Sequence, residues 1–206
     1  MPDLVGSPDI VLVWPKDRKI AEPSPVSGYS LRSLASELDS WWIDIHRKAV
    51  PVWSRTMLEG WLERYRSLAL PEGILVDTQD SNGEPVATAG SIANSKAEIG
   101  LSGGQLAWVA TIPDHRGLGL ARWLSAVATQ RLLQEGFQSI FLCTGDDMPA
   151  AIRVYLSLGY APYIYASDQQ SRWDRIFKLV GYPFTQHHDQ NAKRERQGEA
   201  DDLLER

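Results

Sequence analysis

One stretch of the chain decides the fold, residues 106–121, which reads LAWVATIPDHRGLGLA. Leu106 to Ile112 is a nearly unbroken apolar run that stops at Pro113, which predicts a central, buried strand. A short loop with two glycines follows, and from Gly119 onward apolar residues recur at helical spacing. A buried strand, a glycine loop and the start of a long helix therefore follow one another here.

This order of elements is typical of a loop that binds an anion. Glycines let the backbone approach a ligand closely, the free N–H groups of the first helical turn point outward, and the helix dipole favours negative charge there. A pyrophosphate group fits such a loop. In other proteins, glycines at this position serve only to pack a strand tightly against a helix, and the Gly-x-Gly pair leaves both roles open.

Two familiar phosphate-binding loops fit the stretch less well. The chain has no Gly-Lys-Ser/Thr after the glycines, so the phosphate lysine of a P-loop is missing. The dinucleotide fingerprint Gly-x-Gly-x-x-Gly fails because Arg122 stands where its third glycine should fall. That fingerprint also opens its fold, whereas at least three strands are predicted before this loop.

Composition and charge limit the remaining classes of protein. A chain of 206 residues with 43% apolar and 23% charged residues predicts one α/β domain of ordinary size. No apolar run approaches the ~20 residues that span a bilayer, and the start Met1-Pro2-Asp3 lacks the basic residues of a signal peptide. We therefore expect a cytoplasmic protein with no membrane partner. The net charge of −5 argues against nucleic acid as a partner. The chain has a single cysteine, Cys143, so a metal site built from several cysteines is excluded and we expect no bound metal.

The rest of the sequence predicts mixed α/β layers, with helices on both faces of a sheet. Strands are predicted at residues 10–14, 74–78, 85–92, 106–112, 139–143 and 161–166, with Asn82-Gly83 as a hairpin turn and residues 94–104 as a loop. Helices are predicted from Leu31 to Ile45, from Ser54 to Tyr65, from Gly119 to Gly136 and from Asp147 to Gly159, with Ser54 and Asp147 as caps. A fifth helix is predicted around residues 173–180, where a strand is the alternative. Residues 1–184 are expected to form a single domain, and the charged segment 185–206 is expected to be disordered.

Two motifs in this order resemble those of a known family. Residues 116–121, RGLGLA, match the pattern Arg/Gln-x-x-Gly-x-Gly/Ala, and residues 151–160, AIRVYLSLGY, are similar to Ala-Ile-x-x-Tyr-x-x-x-Gly-Phe/Tyr. Both patterns are signatures of the GCN5-related N-acetyltransferase (GNAT) superfamily, and the resemblance extends from about residue 72 to 165. It implies a splayed, mostly antiparallel central sheet with helices on both faces. It also implies transfer of an acetyl group from acetyl-coenzyme A to an amine.

The resemblance further implies where the co-substrate acetyl-coenzyme A binds. The pantetheine arm would lie along the strand, against the backbone of Val109, Ala110 and Thr111. The pyrophosphate would be held by backbone amides of Gly117, Leu118, Gly119, Leu120, Ala121 and Arg122, with charge-assisted contacts from Arg116 or Arg122.

Tyr155 falls where the family places a general acid that reprotonates the departing thiolate of coenzyme A. A core aromatic is the alternative, because Tyr155 follows Ile152 and Ala151 at helical spacing. The base that deprotonates the amine is expected to be Asp146, Asp147, Glu98 or an ordered water. Asp147 is expected first of all to cap a helix.

The chain departs from the family pattern at two positions. Met148 stands where the family often has Asn, and Cys143 stands where some relatives carry a Glu. These departures keep open a module of the same fold that binds acyl-coenzyme A without catalysis. A third reading, an interaction protein with no cofactor, requires both motifs to be coincidental.

The acceptor is not identified by the sequence. It is expected to be a small-molecule amine, or the N-terminus or a lysine of a protein, and the chain is expected to be a monomer or a homodimer. The tryptophans Trp41, Trp42, Trp53 and Trp61 either line an acceptor pocket or belong to the core, and Trp108 lies beside the expected cofactor strand. His115, next to the glycine loop, is expected to be a solvated loop residue.

Overall fold

The structure is a computed structural model of the chain and describes residues 9–181. These residues contain seven strands, β1 (Ile10–Val13), β2 (Tyr29–Ser33), β3 (Ala69–Gln79), β4 (Pro85–Lys96), β5 (Leu101–Thr111), β6 (Ile140–Thr144) and β7 (Ala161–Tyr163). They also contain five α-helices, α1 (Asp39–Ala49), α2 (Arg55–Leu68), α3 (Leu120–Gln134), α4 (Pro149–Leu158) and α5 (Gln169–Val180). The segment 185–206 lies outside the described residues, so its disorder stays a prediction.

The described elements fall into two compact units, residues 14–142 and residues 9–13 together with 143–181. In the larger unit the strands lie in the order β2-β3-β4-β5-β6. The pairs from β2 to β5 are antiparallel, and β6 runs parallel to β5. This mixed, mostly antiparallel arrangement confirms the predicted fold class. A single domain over residues 1–184 stays a prediction.

Two neighbouring residues of β4 show that helices cover both faces of the sheet in the larger unit. The Oγ atom of Ser91 donates a hydrogen bond to the carbonyl oxygen of Ala128 in α3, at 2.9 Å. Gly90 lies under the hydroxyl of Tyr65 in α2, where a Cβ atom at Gly90 would overlap that hydroxyl. Because successive residues of a strand point to opposite faces, α3 lies on one face and α2 on the other.

The smaller unit combines one strand pair with two helices. β1 pairs antiparallel with β7, with Val11 opposite Tyr163. Arg153 of α4 donates hydrogen bonds to the carbonyls of Leu179 and Val180 at 3.1 and 3.2 Å. A guanidinium at this position satisfies the last carbonyls of α5 and complements its dipole.

Two predicted segments have the wrong secondary structure, and backbone pairing is the reason in both cases. The helix predicted from Leu31 begins only at Asp39, because Tyr29–Ser33 forms strand β2 against the edge of β3. The loop predicted over residues 94–104 is the tip of a long hairpin, in which Asn94 pairs with Gly103. Polar side chains concealed this pairing, which uses backbone groups that every sequence supplies.

The predicted hairpin, the central strand and the remaining helices are confirmed. β3 and β4 join through Gly83, which has φ +69°. Gly159 and Gly181 end their helices at φ +113° and +65°, the left-handed conformation expected of glycine at that position. The strand predicted over residues 161–166 is shorter and ends at Tyr163.

Within residues 9–181 no helix is both long and apolar enough to cross a bilayer. The same part of the chain contains no cluster of three or more His, Cys, Asp or Glu side chains placed to hold a metal ion.

Candidate functional site

The glycine loop connects the end of β5 to the start of α3. A 3-10 turn at Pro113–His115 follows the strand, and Gly117 and Gly119 then adopt φ values of +79° and +92°. Both values lie in the left-handed region that favours glycine, so the conformation itself explains why glycine stands at both positions. Residues 106–121 therefore form a strand, a loop and the start of a helix, in the predicted order.

The loop leaves the N-terminus of α3 open. Gly119 is the N-cap and provides no side-chain capping bond to the first turn. A Cβ atom at Gly117 would meet no atom within 4 Å, and the nearest atom to one at Gly119 is a methyl carbon of Val26 at 3.9 Å. A helix N-terminus without a capping side chain, a favourable helix dipole and an uncrowded loop together suit a pyrophosphate group.

Strand β5 offers an unpaired edge next to this loop. The parallel register with β6 covers only Gly104–Ile140 and Gln105–Phe141 in the part of the chain that the structure describes. On its other edge β5 stays paired with β4 as far as Thr111. On the β6 edge the backbone of Val109, Ala110 and Thr111 therefore has no strand partner among the described residues, and the Thr111 carbonyl accepts a hydrogen bond from Arg116.

A β-bulge interrupts β5 just before these residues. The register with β4 passes from Gly90–Ala107 to Thr88–Ala110, so Trp108 and Val109 together face Ala89. Trp108 has φ +54°, which is rare for a large side chain and is held only where the surroundings enforce it.

Five aromatic rings surround the indole of Trp108. Their centroids lie 5.2 to 6.3 Å from the Trp108 indole, and they belong to Trp42, His46, Trp53, Trp61 and Tyr65. Nδ1 of His46 lies 2.8 Å from the carbonyl oxygen of Trp42. Burial lowers the pKa of His46 to about 4, against the opposing effect of backbone hydrogen bonds with Trp42 and Trp108, so the imidazole is neutral at pH 7.

Arg116 joins the glycine loop to helix α1. Its Nε donates to the carbonyl of Thr111 at 3.1 Å, and its Nη2 donates to the carbonyl of Ala49 at 3.0 Å. These bonds connect the end of β5 to the end of α1. A phosphate contact by Arg116 or by the exposed Arg122 stays a prediction. His115 is not simply solvated, because its Nδ1 lies 2.8 Å from the hydroxyl of Tyr29.

In the smaller unit, Tyr155 lies on α4 and is 7% exposed. Its ring is T-shaped to that of Tyr160, with centroids 6.3 Å apart. Burial raises the pKa of Tyr155, so the phenol is neutral at physiological pH and is a weaker acid than an exposed tyrosine.

The two aspartates before α4 differ in their surroundings. Asp146 accepts hydrogen bonds from Nε and Nη2 of Arg172, at 2.8 and 2.5 Å. The hydrogen bonding to Arg172 lowers the pKa of Asp146, which makes its carboxylate a weaker base. The prediction that Asp147 caps α4 is wrong: the N-cap is Met148, without a side-chain bond, and the carboxylate of Asp147 lies beside Gly145.

Glu98 lies far from the glycine loop. It lies in the 3-10 turn Ala97–Ile99, just before β5, and its nearest charged partner is Lys96 at 4.0 Å. β5 is an 11-residue strand, so at ~3.3 Å per residue Glu98 is roughly 30 Å from the glycine loop at the other end.

A sequence model of the acetyltransferase (GNAT) family matches residues 35–160, more than half of the chain. The chain belongs to the GNAT family of acetyltransferases.

Individual relatives of this GNAT chain are distant. A mycothiol acetyltransferase from Frankia casuarinae is 32% identical over 72 residues, which are 35% of this chain and 20% of that protein. A GCN5-related N-acetyltransferase from Sphaerobacter thermophilus superposes with a TM-score of 0.61 and 19% identity, over 76% of this chain and 50% of that one. One from Kribbella flavida gives a TM-score of 0.52 and 27% identity, over 76% and 55%. The chain thus spans less than two thirds of the length of each of these three relatives.

Sequence reasoning about this GNAT chain missed three buried side chains of the larger unit. His46 directly followed the end of a predicted helix, Tyr65 was one of several apolar positions, and Asp77 lay in a predicted strand. His46 and Tyr65 each contact Trp108, and these contacts form only through tertiary packing. The repeated tryptophans of α1 and α2 were the available sequence signal for this aromatic cluster.

Proposed function

We propose that this chain transfers an acetyl group from acetyl-coenzyme A to the nitrogen of an amine. The observation that carries the proposal is the open glycine loop at the N-terminus of α3, next to the unpaired edge of β5. An anion-binding helix end beside an accessible strand edge suits a ligand with a pyrophosphate group and an extended, amide-containing arm. Membership in the GNAT family supports the same reaction.

In this proposal the backbone amides from Gly117 to Arg122 hold the pyrophosphate, and the backbone from Val109 to Thr111 holds the pantetheine arm. Fixing both parts of the donor places its thioester for attack and lowers the entropic cost of the reaction. Arg116 keeps the end of β5 and the loop in register through its bonds to Thr111 and Ala49.

The chemistry is one acyl transfer. The amine nitrogen attacks the thioester carbonyl, a C–N bond forms, the C–S bond breaks, and the sulfur leaves with the electron pair. The Tyr155 hydroxyl gives its proton to the departing thiolate, the excess proton on the amine passes to water or to Asp147, and a proton from solvent then restores the phenol. Asp146 is a weaker choice of base because Arg172 lowers its pKa.

Amine-dependent release of free thiol from acetyl-coenzyme A tests this function. We expect release that rises with the concentration of at least one amine in a panel of small amines, amino sugars and peptides. A chain that is stabilised thermally by coenzyme A but releases no thiol with any amine would be a binding module. A chain that coenzyme A does not stabilise at all would contradict the proposed site as well.

A further inference from the structure

Three partly exposed indoles of the larger unit lie side by side, those of Trp53, Trp61 and Trp108. We call them the indole surface. The ring centroids of Trp53 and Trp61 are 5.3 Å apart at an interplanar angle of 90°, and those of Trp61 and Trp108 are 5.5 Å apart at 35°. Three adjoining tryptophans that keep part of their area in solvent are typical of a recognition surface, because Trp combines a large apolar area with few rotatable bonds.

Buried rings fix the indole surface from behind. Trp42, His46 and Tyr65 are 0%, 2% and 2% exposed, and each contacts Trp108. This support holds Trp108 in its unusual conformation on the bulge of β5. A surface that is rigid before the ligand arrives loses little conformational entropy on binding.

The indole surface adjoins the backbone proposed to hold the acetyl donor. Trp108 directly precedes Val109, the first residue of that backbone. A molecule that stacks on Trp108 and Trp61 therefore lies next to the strand along which the pantetheine arm is proposed to run. This is the place where an acceptor has to sit if its nitrogen is to reach a thioester.

The chemistry of the surface is apolar and uncharged. None of its three residues carries a charged side chain, and the imidazole of His46 behind it is neutral at pH 7 because burial lowers its pKa. Such a surface recognises flat or apolar groups through stacking and burial.

We propose that the indole surface binds the acceptor, and that the acceptor is a primary amine carried on an aromatic or other apolar body. The inference rests on the proposed acetyl transfer and adds the class of its substrate.

Two amines of similar basicity test this class, 2-phenylethylamine and the ring-free, polar 2-methoxyethylamine. With saturating acetyl-coenzyme A, we expect kcat/KM to be at least about tenfold higher for the aromatic amine, a difference of about 1.4 kcal/mol. In Trp61→Ala this preference falls by about tenfold while the affinity for coenzyme A stays unchanged, and Trp61→Phe retains part of it. Trp41→Ala is the matched control, because the ring of Trp41 lies instead against Arg32, at 5.8 Å from the guanidinium carbon.

A binding measurement separates failure of this inference from failure of the proposed function. Ligand-observed NMR of 2-phenylethylamine with the full chain and coenzyme A should show binding that Trp61→Ala abolishes and Trp41→Ala preserves, even if no turnover occurs. Equal turnover of the two amines, or turnover of an amino sugar or a peptide that Trp61→Ala leaves unchanged, would overturn the inference and leave the acetyl transfer standing. Absence of binding and of preference in the wild type would overturn it too.

Discussion

Gly119 occupies a backbone conformation that glycine adopts at little cost, at the point where a phosphate would meet α3. We predict that Gly119→Asp abolishes binding of coenzyme A, because a carboxylate would enter the space of the pyrophosphate. Gly119→Ala is the control: there is room for its methyl group, so it should lose roughly 1–2 kcal/mol of stability through φ +92° and still bind. Calorimetric titration with coenzyme A checks both variants, and unchanged affinity in Gly119→Asp would remove the pyrophosphate from this loop.

Tyr155 is a buried phenol whose raised pKa keeps it protonated. We predict that Tyr155→Phe lowers turnover by roughly ten- to a thousand-fold, with affinity for acetyl-coenzyme A within a few-fold of wild type. Turnover and its ratio to the Michaelis constant should fall together if the hydroxyl acts only in the transition state. Tyr165→Phe is the matched control, because it also removes a phenolic hydroxyl but one that has no part in the proposed transfer. The Tyr165 hydroxyl donates a hydrogen bond to the carbonyl of Asp9, at 2.6 Å. Wild-type turnover in folded Tyr155→Phe would make Tyr155 a core aromatic.

At the scale of elements, helix α2 approaches the sheet closely at one point. The hydroxyl of Tyr65 lies over Gly90, where any side chain would overlap it. We predict that Gly90→Ala lowers the free energy of unfolding by about 1–3 kcal/mol through overpacking. Gly60→Ala, in α2 itself with no atom within 4 Å of the new methyl group, should instead raise it by about 0.5–1 kcal/mol. Urea unfolding of both variants tests this packing, and a neutral Gly90→Ala would mean that α2 lies farther from β4.

The elements differ in how far the sequence could predict them. Helices α2 to α5 carry apolar residues three and four positions apart, as a helix requires. The glycine loop after β5 carries the specific pattern Arg-x-x-Gly-x-Ala at residues 116–121. Strand β2 and the tip of the β4–β5 hairpin were missed, because their formation depends on a partner strand rather than on their own residues. The bulge that turns Trp108 was missed for the same reason.

At the scale of the whole molecule, two buried ionisable groups, Asp77 and His46, make the free energy of unfolding depend on pH in opposite directions. Asp77 is fully buried, and neither of its carboxylate oxygens has a hydrogen-bond partner in residues 9–181. Burial raises its pKa from 3.8 to about 7. Between about pH 4 and pH 7 the folded chain therefore holds a proton that the unfolded chain has lost, and stability falls as pH rises. His46, with a pKa lowered from 6.5 to about 4, has the opposite effect between pH 4 and pH 6.5.

The difference between wild type and Asp77→Asn isolates the contribution of Asp77. We predict that the stability of Asp77→Asn relative to wild type rises with pH between about pH 4 and pH 7, by up to about 1.4 kcal/mol per pH unit. Above pH 7 the relative stability should be constant. Chemical unfolding at several pH values measures it, with Asp80→Asn as an exposed control whose carboxylate accepts a hydrogen bond from Ser30. A difference that does not change with pH would show that Asp77 titrates normally.

The family was predictable from sequence because its two motifs lie in local segments, residues 116–121 and 151–160. The proposed acceptor class was not, because Trp53, Trp61 and Trp108 come from separate elements and meet only through tertiary packing. The sequence contains eight tryptophans, but it does not indicate which of them remain partly exposed after folding.

The central claim, transfer of an acetyl group from acetyl-coenzyme A to an amine nitrogen, is tested most directly by following the acetyl group itself. The full chain is incubated with acetyl-coenzyme A that carries an isotope-labelled acetyl group and with an amine panel that includes 2-phenylethylamine, and the products are analysed by mass spectrometry. The predicted result is an N-acetylated amine that carries the label, in an amount equal to the thiol released, with little product from Gly119→Asp. A chain that binds coenzyme A and leaves every amine unlabelled would contradict the account.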